Sequence, residues 1–283
     1  MIRKVPLYIG LVFFSINIAN GNIFSLYSYI KQRIRINTVS PEKIKICKTL
    51  HNKLIDYIYN FNDNISVSII DDSGKYIVNI NGKMPRIPAS NQKILSSAFS
   101  LDTLGPNYTL NTSLKEISDG SLYIEASGDP DFDKSHLEAL INDLKNNNYN
   151  SNFKLPIIIK SSHRKNWWAS SWSYADRKEV YGAPITKLSI ASNSSINALT
   201  NPIDNFIYEL ETVLKKKNLS EKYFVKPVND NYPIDSISTI KVINSAPLHI
   251  LLNLVNSESH NFTSEVIFRH SLNDWSNDFP NVK

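Results

Sequence analysis

One short segment, Ser90-Asn91-Gln92-Lys93, constrains this chain more than any other, because it combines a reactive side-chain pair with the start of a helix. An apolar helical pattern runs from Ser90 to Leu104 and stops at Gly105-Pro106. Residues three apart lie on one face of a helix, so the Lys93 amine can reach the Ser90 hydroxyl. An uncharged lysine there can take the serine proton and leave a nucleophile. On this segment alone, an N-cap serine without a chemical role is the favoured interpretation.

The Ser-x-x-Lys pattern is not specific by itself, and its surroundings decide what it means. The same pattern also starts at Ser28, Ser40, Ser151, Ser162 and Ser238. At Ser90 it follows a predicted β-hairpin, in which the strands Ile65–Ile69 and Tyr76–Ile80 flank the turn residues Asp71-Asp72-Ser73-Gly74. This context favours Ser90 over the other serines.

A second polar pattern, Ser-x-Asn, gives a candidate partner for the pair. It occurs at Ser15, Ser195, Ser259 and Ser271. Ser259-His260-Asn261 directly follows a predicted helix at Pro247–Val255, and this position fits a loop that presents a hydroxyl and an amide into a cleft. We therefore select Ser259 and Asn261.

The remaining periodicity predicts a mixture of strands and helices, which is typical of an α+β domain. Further strands are predicted at Tyr108–Leu114, Ser121–Ala126, Leu155–Ile159, Leu188–Ala191 and Ile237–Ile243. Further helices are predicted at Pro41–Phe61, Ser135–Leu144 and Ile203–Leu214. The only cysteine, Cys47, excludes an intrachain disulfide, and we expect it to pack in the core of the first helix.

Composition excludes several classes of function. A hydrophobic fraction of 42% is enough to bury a core. The net charge of +5 comes from scattered lysines, so nucleic-acid binding is not indicated. The six histidines form no pair with metal-ligand spacing, and we predict no metal site.

The N-terminus has the pattern of an export signal. Arg3 and Lys4 precede an apolar stretch at 5–19, and Ala19-Asn20-Gly21 offers a small-x-small cleavage site. We predict a signal peptide or anchor at 1–21, and thus a protein exported to the periplasm or held on the outer face of the inner membrane. An uncleaved segment would associate the chain with the membrane.

Five blocks in order resemble the class C low-molecular-mass penicillin-binding proteins, the D-alanyl-D-alanine carboxypeptidase/endopeptidase family of serine peptidases. The resemblance spans roughly residues 42–272. The blocks are Ile87-Pro88-Ala89-Ser90-Asn91-Gln92-Lys93 with Leu104-Gly105, the segment 122–130 ending in Gly128-Asp129-Pro130, Trp172 with Tyr181-Gly182-Ala183-Pro184 and Leu188, Ser245-Ala246-Pro247-Leu248, and Asn256–Glu265. Five ordered blocks are far more specific than either short pattern.

The resemblance implies an α+β, penicillin-recognising (β-lactamase/transpeptidase-like) fold with an inserted domain after the nucleophile helix. The implied domains are the N-terminal part of the transpeptidase-like domain at 41–107, the insertion at 108–245, and the Ser-x-Asn part at 246–283.

The resemblance also implies the chemistry. Ser90 attacks a peptidoglycan stem peptide between its two D-alanines, Lys93 accepts the proton, Ser259 relays a proton to the leaving amine, and Asn261 binds the substrate backbone. β-Lactams would acylate the same serine, and no cofactor is implied.

The family's third motif, Lys-Thr-Gly on a central strand, is absent from the sequence, whose last glycine is Gly182. We therefore expect a C-terminally shortened member that lacks the C-terminal strands and has impaired activity. A non-catalytic wall-binding or regulatory homologue and one half of a split enzyme are the alternatives. His260 stands where the family commonly carries aspartate.

Overall fold

The computed structural model describes residues 46–59, 65–146, 153–170 and 172–276. The chain forms two compact units that divide between Ala89 and Ser90. The predicted signal or anchor at 1–21 lies outside the described residues.

In its described part, the first unit contains one helix and the predicted hairpin. Helix α1 spans Lys48–Ile58, and strands β1 and β2 span Val67–Ile70 and Tyr76–Ile80. The two strands are antiparallel, so the hairpin prediction is confirmed. The prediction for Cys47 is wrong: its side chain is exposed, because Cys47 is the extended residue before α1 and does not lie on the helix face.

The second unit contains a five-stranded mixed sheet and five α-helices among the residues described. Its elements are α2 (Gln92–Leu104), β3 (Asn111–Ile117), β4 (Leu122–Ala126), α3 (Lys134–Ile141), β5 (Leu155–Ser161), α4 (Pro202–Lys216), β6 (Tyr223–Asn229), β7 (Ser236–Asn244), α5 (Leu248–Ser257) and α6 (Asn261–Leu272). The strand order is β6-β5-β4-β3-β7. β4, β5 and β6 run parallel, and β3 is antiparallel to both of its neighbours.

Helices α3 and α4 cover one face of this sheet because they are the crossovers between its parallel strands. In β4, Leu122, Ile124 and Ala126 belong to the core under these helices, whereas Tyr123 belongs to a separate buried cluster and Glu125 is exposed. Successive side chains therefore point to opposite faces of the sheet, as the period of two of a strand requires. α4 begins with an Asn201 cap and Pro202 in its first turn, a favourable helix start.

Two predictions for this unit fail for identifiable reasons. Leu188–Ala191 is not a strand: Ala191 and Ser192 have φ of 48° and 56°, which turns the chain into a left-handed bend. The strand β6 was not predicted, since Pro227 lies inside it. Proline is tolerated there because β6 is an edge strand, whose outer amide groups need no partner in the sheet.

The helices α2, α5 and α6 pack together and form the framework of the candidate site. α5 and α6 bury a second apolar cluster that includes Leu251, Val255 and Val266. Within this layer the buried Ser271 hydroxyl of α6 donates to Ser100 Oγ of α2 at 2.8 Å. A buried polar contact of this kind fixes how the two helices align.

The predicted domain limits stay predictions. The division at Ala89 falls inside the segment 41–107, and the five-stranded sheet lies within 108–245. None of the helices in the described ranges is long and apolar enough to cross a membrane.

Candidate active site

Ser90 and Lys93 lie at the beginning of α2. Ser90 belongs to a single 3-10 turn, Ala89–Asn91, and Lys93 is the second residue of the α-helix. Lys93 Nζ is 3.4 Å from Ser90 Oγ. The spacing of three residues therefore produces the contact that the sequence predicts.

Ser259 and Asn261 lie on the tight turn between α5 and α6. Ser259 adopts a left-handed backbone with φ of 56°, and Asn261 is the first residue of α6. The left-handed residue reverses the chain and brings both side chains toward α2. Lys93 Nζ donates to Ser259 Oγ at 3.1 Å and to Asn261 Oδ1 at 2.5 Å.

The four predicted residues thus form one hydrogen-bonded cluster. Ser259 Oγ donates to Ser90 Oγ at 2.8 Å, which closes a ring of contacts around the lysine amine. The other Ser-x-Asn matches do not join it: Ser271 is buried against Ser100, Ser195 is an exposed residue on a separate loop, and Ser15 lies outside the described residues.

The amine of Lys93 is in an environment that favours its neutral form. Partial burial removes water from the charged ammonium and lowers the pKa of Lys93 below its ordinary value of 10.5. Its three oxygen neighbours are two hydroxyls and an amide, none of which carries a charge. A lysine of this kind can serve as a general base.

A further residue of the cluster, Tyr181, was not selected from the sequence. Asn261 Nδ2 donates to the Tyr181 backbone carbonyl at 2.9 Å. The next residue must be glycine, because a Cβ on Gly182 would lie 1.9 Å from the Asp176 carbonyl oxygen. Trp168 Nε1 also donates to the Gly182 carbonyl at 2.8 Å. The Tyr181-Gly182-Ala183-Pro184 block was the signal that could have identified this loop.

A buried arginine holds α6 in place behind the site. Arg269 is only 1% exposed, and its Nε donates to Glu265 Oε1 at 2.9 Å. Its Nη1 donates to the Asn166 carbonyl at 2.7 Å. Because these contacts are buried, they fix α6 against the loop before Trp167, and through α6 they fix the position of Asn261.

An α+β fold with a Ser-x-x-Lys pair at a helix start is the arrangement of penicillin-recognising serine enzymes. The D-Ala-D-Ala carboxypeptidase 3 (S13) family model matches residues 61–207, slightly more than half of the 283 residues. The chain belongs to this family of serine peptidases, which is penicillin-binding and related to peptidoglycan. The matched range includes Ser90 and Lys93.

Solved structures support the same fold. Penicillin binding protein 4 from Haemophilus influenzae superposes with a TM-score of 0.60 at 17% identity, over 71% of this chain and 60% of that one. The same protein in complex with a β-lactam gives a TM-score of 0.52 at 17% identity, over 72% and 60%. The chain thus spans about 60% of the length of these solved structures. No curated protein sequence matches it significantly.

Proposed function

We propose that this chain is a serine-type D-alanyl-D-alanine carboxypeptidase/endopeptidase that forms an acyl-enzyme on Ser90. One observation carries the proposal: the Lys93 amine lies within hydrogen-bond distance of both serine hydroxyls and of the Asn261 amide oxygen. Membership of the S13 family supports the substrate class, which is the stem peptide of peptidoglycan.

The first step is acylation. Ser90 Oγ attacks the carbonyl carbon between the two D-alanines and transfers its proton to the neutral Lys93 amine. The tetrahedral intermediate then collapses, and the bond between the carbonyl carbon and the departing nitrogen breaks. The leaving amine needs a proton, and Ser259 provides the route from Lys93 because its hydroxyl contacts both Lys93 Nζ and Ser90 Oγ.

The second step is hydrolysis of the acyl-enzyme. Water attacks the ester carbon, its proton passes to Lys93, and Ser90 Oγ takes a proton back as it leaves. Asn261 orients the substrate: its amide oxygen contacts Lys93, and its Nδ2 would exchange the Tyr181 carbonyl for a carbonyl of the bound peptide. No step calls for a metal ion or an organic cofactor.

The absence of a Lys-Thr-Gly tripeptide from the sequence should lower the rate of acylation. In the implied mechanism its strand supplies one donor to the oxyanion, and removal of one such donor typically costs about 10²–10³ in rate. We therefore propose slow acylation by this chain alone. The alternatives are a homologue that binds peptidoglycan without cleaving it and a chain that a second polypeptide completes.

Covalent labelling with a fluorescent penicillin tests the proposal, and the complex of the H. influenzae protein with a β-lactam supports the choice of probe. We expect the wild type to be labelled and Ser90→Ala to remain unlabelled. Ser96→Ala is the matched control, because Ser96 lies on the same helix and its hydroxyl only donates to the Lys93 carbonyl at 3.1 Å.

Labelling that survives in Ser90→Ala contradicts the assignment of the nucleophile. An unlabelled wild type rejects the active form and leaves the binding homologue. Labelling that requires addition of a second polypeptide supports the split enzyme.

We also propose export to the periplasm, with the segment 1–21 as a signal peptide or an outer-face anchor, and an inserted domain at 108–245. The basic residues Arg3 and Lys4 before the apolar stretch support the first proposal. N-terminal sequencing of the mature protein tests it, since cleavage after Gly21 would leave a chain that begins at Asn22.

A further inference from the structure

His260 is the residue between the two site residues on the turn from α5 to α6. Its ring is half-buried, and Nδ1 lies 2.6 Å from the Thr263 hydroxyl oxygen. Thr263 is in the first turn of α6 and is fully buried. The His260 carbonyl accepts from the amide of Ser264 at 3.2 Å and thus begins the hydrogen bonding of α6. Both the side chain and the backbone carbonyl of His260 therefore form hydrogen bonds with α6.

Two charged groups act electrostatically on this ring: Lys93 of α2 and Asp131 of the loop that follows β4. Burial lowers the pKa of His260 below 6.5, Asp131 opposes this change, and Lys93 adds to it. Burial therefore favours the neutral form of the ring. Tyr181 and its partner Asp176 lie on the third loop of the site, which contacts Asn261.

We propose that His260 is a positioning residue that fixes the Ser259–Asn261 turn through its hydrogen bond to Thr263, and that it does so without adding a negative charge to the groups that act on the Lys93 amine. This inference rests on the proposed function for its kinetic consequence, but its electrostatic consequence can be measured in the free protein.

The neutral ring matters because of what Lys93 must do. A general base works only while its amine is uncharged, and a carboxylate nearby favours the charged form and raises the pKa of a lysine. An aspartate at 260 could accept a hydrogen bond from Thr263, but it would add a negative charge at a position that already interacts electrostatically with Lys93. The histidine holds the turn without this effect.

Three substitutions at His260 distinguish the effect of positioning the turn from the effect of charge on Lys93. His260→Asn keeps a neutral hydrogen-bonding side chain, so the pKa of Lys93 should stay where it is. His260→Ala loses the bond to Thr263, and acylation should slow about 3- to 10-fold, since one net hydrogen bond contributes about 1 kcal/mol. His260→Asp should raise the pKa of Lys93 by roughly 0.5–1 unit, as expected for a charge that is partly screened.

The primary measurement is the pKa of Lys93 by NMR in the full chain labelled with ¹³C at the lysine Cε atoms. Lys93→Arg identifies the resonance. A rise in His260→Asp that shrinks at high salt, with no change in His260→Asn, supports the inference. Equal pKa values of Lys93 in the wild type, His260→Asn and His260→Asp overturn it. This readout needs no catalysis, so an unlabelled wild type would reject the proposed function without deciding the role of His260.

The second measurement is the rate of penicillin labelling against pH. In His260→Asp the rise in rate should move to higher pH by the same amount as the NMR titration. Thr263→Val tests the positioning part: combined with His260→Ala, it should slow labelling no further than either single substitution. Additive losses would show that the two side chains act separately and would overturn the positioning role.

Discussion

At the scale of single residues, Lys93 decides whether the cluster can act as a base, because only its neutral amine accepts a proton. Its lowered pKa means that the labelling rate should rise with pH through a midpoint below 10.5. Lys93→Arg keeps a positive charge that does not dissociate, so labelling should fall by about 10²-fold or more.

Stopped-flow measurement of penicillin labelling checks this. Lys134→Arg is the matched control, since Lys134 is an exposed lysine paired with Glu209 at 2.8 Å. A Lys93→Arg variant that labels at the control rate would contradict the role of Lys93 as base.

The buried Arg269 is a single residue that should contribute to the stability of the fold. Arg269→Met would leave Glu265 without its partner in a largely buried position, and removal of one member of a buried pair typically costs about 3–5 kcal/mol. Lys241→Met removes an exposed pair with Asp143 and should cost less than about 1 kcal/mol. Urea unfolding of both variants measures the difference. Equal losses of unfolding free energy would refute a specific role for the buried arginine.

At the scale of elements, the start of α3 offers a pH-dependent test. The Asp133 carboxylate accepts from Ser135 Oγ at 2.7 Å and from the His136 amide at 3.0 Å, and these contacts lower its pKa to about 2. A depressed carboxyl pKa stabilises the fold above the unfolded value of 3.8, and this contribution is lost as the pH falls toward 2.

We therefore expect Asp133→Ala to reduce the free energy of unfolding by about 1 kcal/mol at pH 6 and by less at pH 2.5. Asp133→Asn, which keeps a capping acceptor, should lose less at pH 6. Thermal unfolding at the two pH values measures these effects. A loss for Asp133→Ala that does not change with pH would contradict the assigned cause.

The elements that the sequence predicts are those with a strong local signal. The hairpin has alternating apolar residues around an Asp-Ser-Gly turn, and α2 has an apolar face closed by Gly105. β6 gives a weaker signal because Pro227 interrupts it, and its place at the sheet edge depends on tertiary structure. The left-handed bend at Ala191 is equally difficult to predict from the sequence, since alanine rarely adopts that conformation.

The candidate site shows the same limit. The contact between Ser90 and Lys93 follows from helix geometry, but Lys93 and Asn261 are separated by 168 positions. No local rule connects such distant residues, so that pairing rests on the Ser-x-Asn pattern after a predicted helix and on the resemblance. The Tyr181-Gly182-Ala183-Pro184 block points to the loop but not to the Tyr181 carbonyl itself, because any residue type can make a backbone contact.

At the scale of the whole molecule, the two units should differ in local stability. Among the residues that the structure describes, the first shows a two-stranded sheet, whereas β4 and β5 of the second lie inside a five-stranded sheet over a buried core. Isolated two-stranded sheets are marginal in water, and local opening is easiest where few apolar groups are buried.

Hydrogen exchange with mass spectrometry should find the slowest amides in β4 and β5 and faster exchange in β1 and β2. The edge strand β6 is an internal comparison, with intermediate protection expected. Protection of β1 and β2 equal to that of β4 would contradict this order and indicate a stabilising contribution beyond the two strands themselves.

The left-handed backbone of Ser259 lowers the stability of the fold, whereas the proposed acylation needs the serine side chain at this position. At φ of 56° a glycine or asparagine would be accommodated more easily, and a left-handed serine carries a cost of about 1–2 kcal/mol. Variants selected only for heat resistance should therefore drift away from serine at 259, whereas selection for acylation should restore it. The amino acid that persists at position 259 in a population would therefore show whether its environment selects for heat resistance or for acylation.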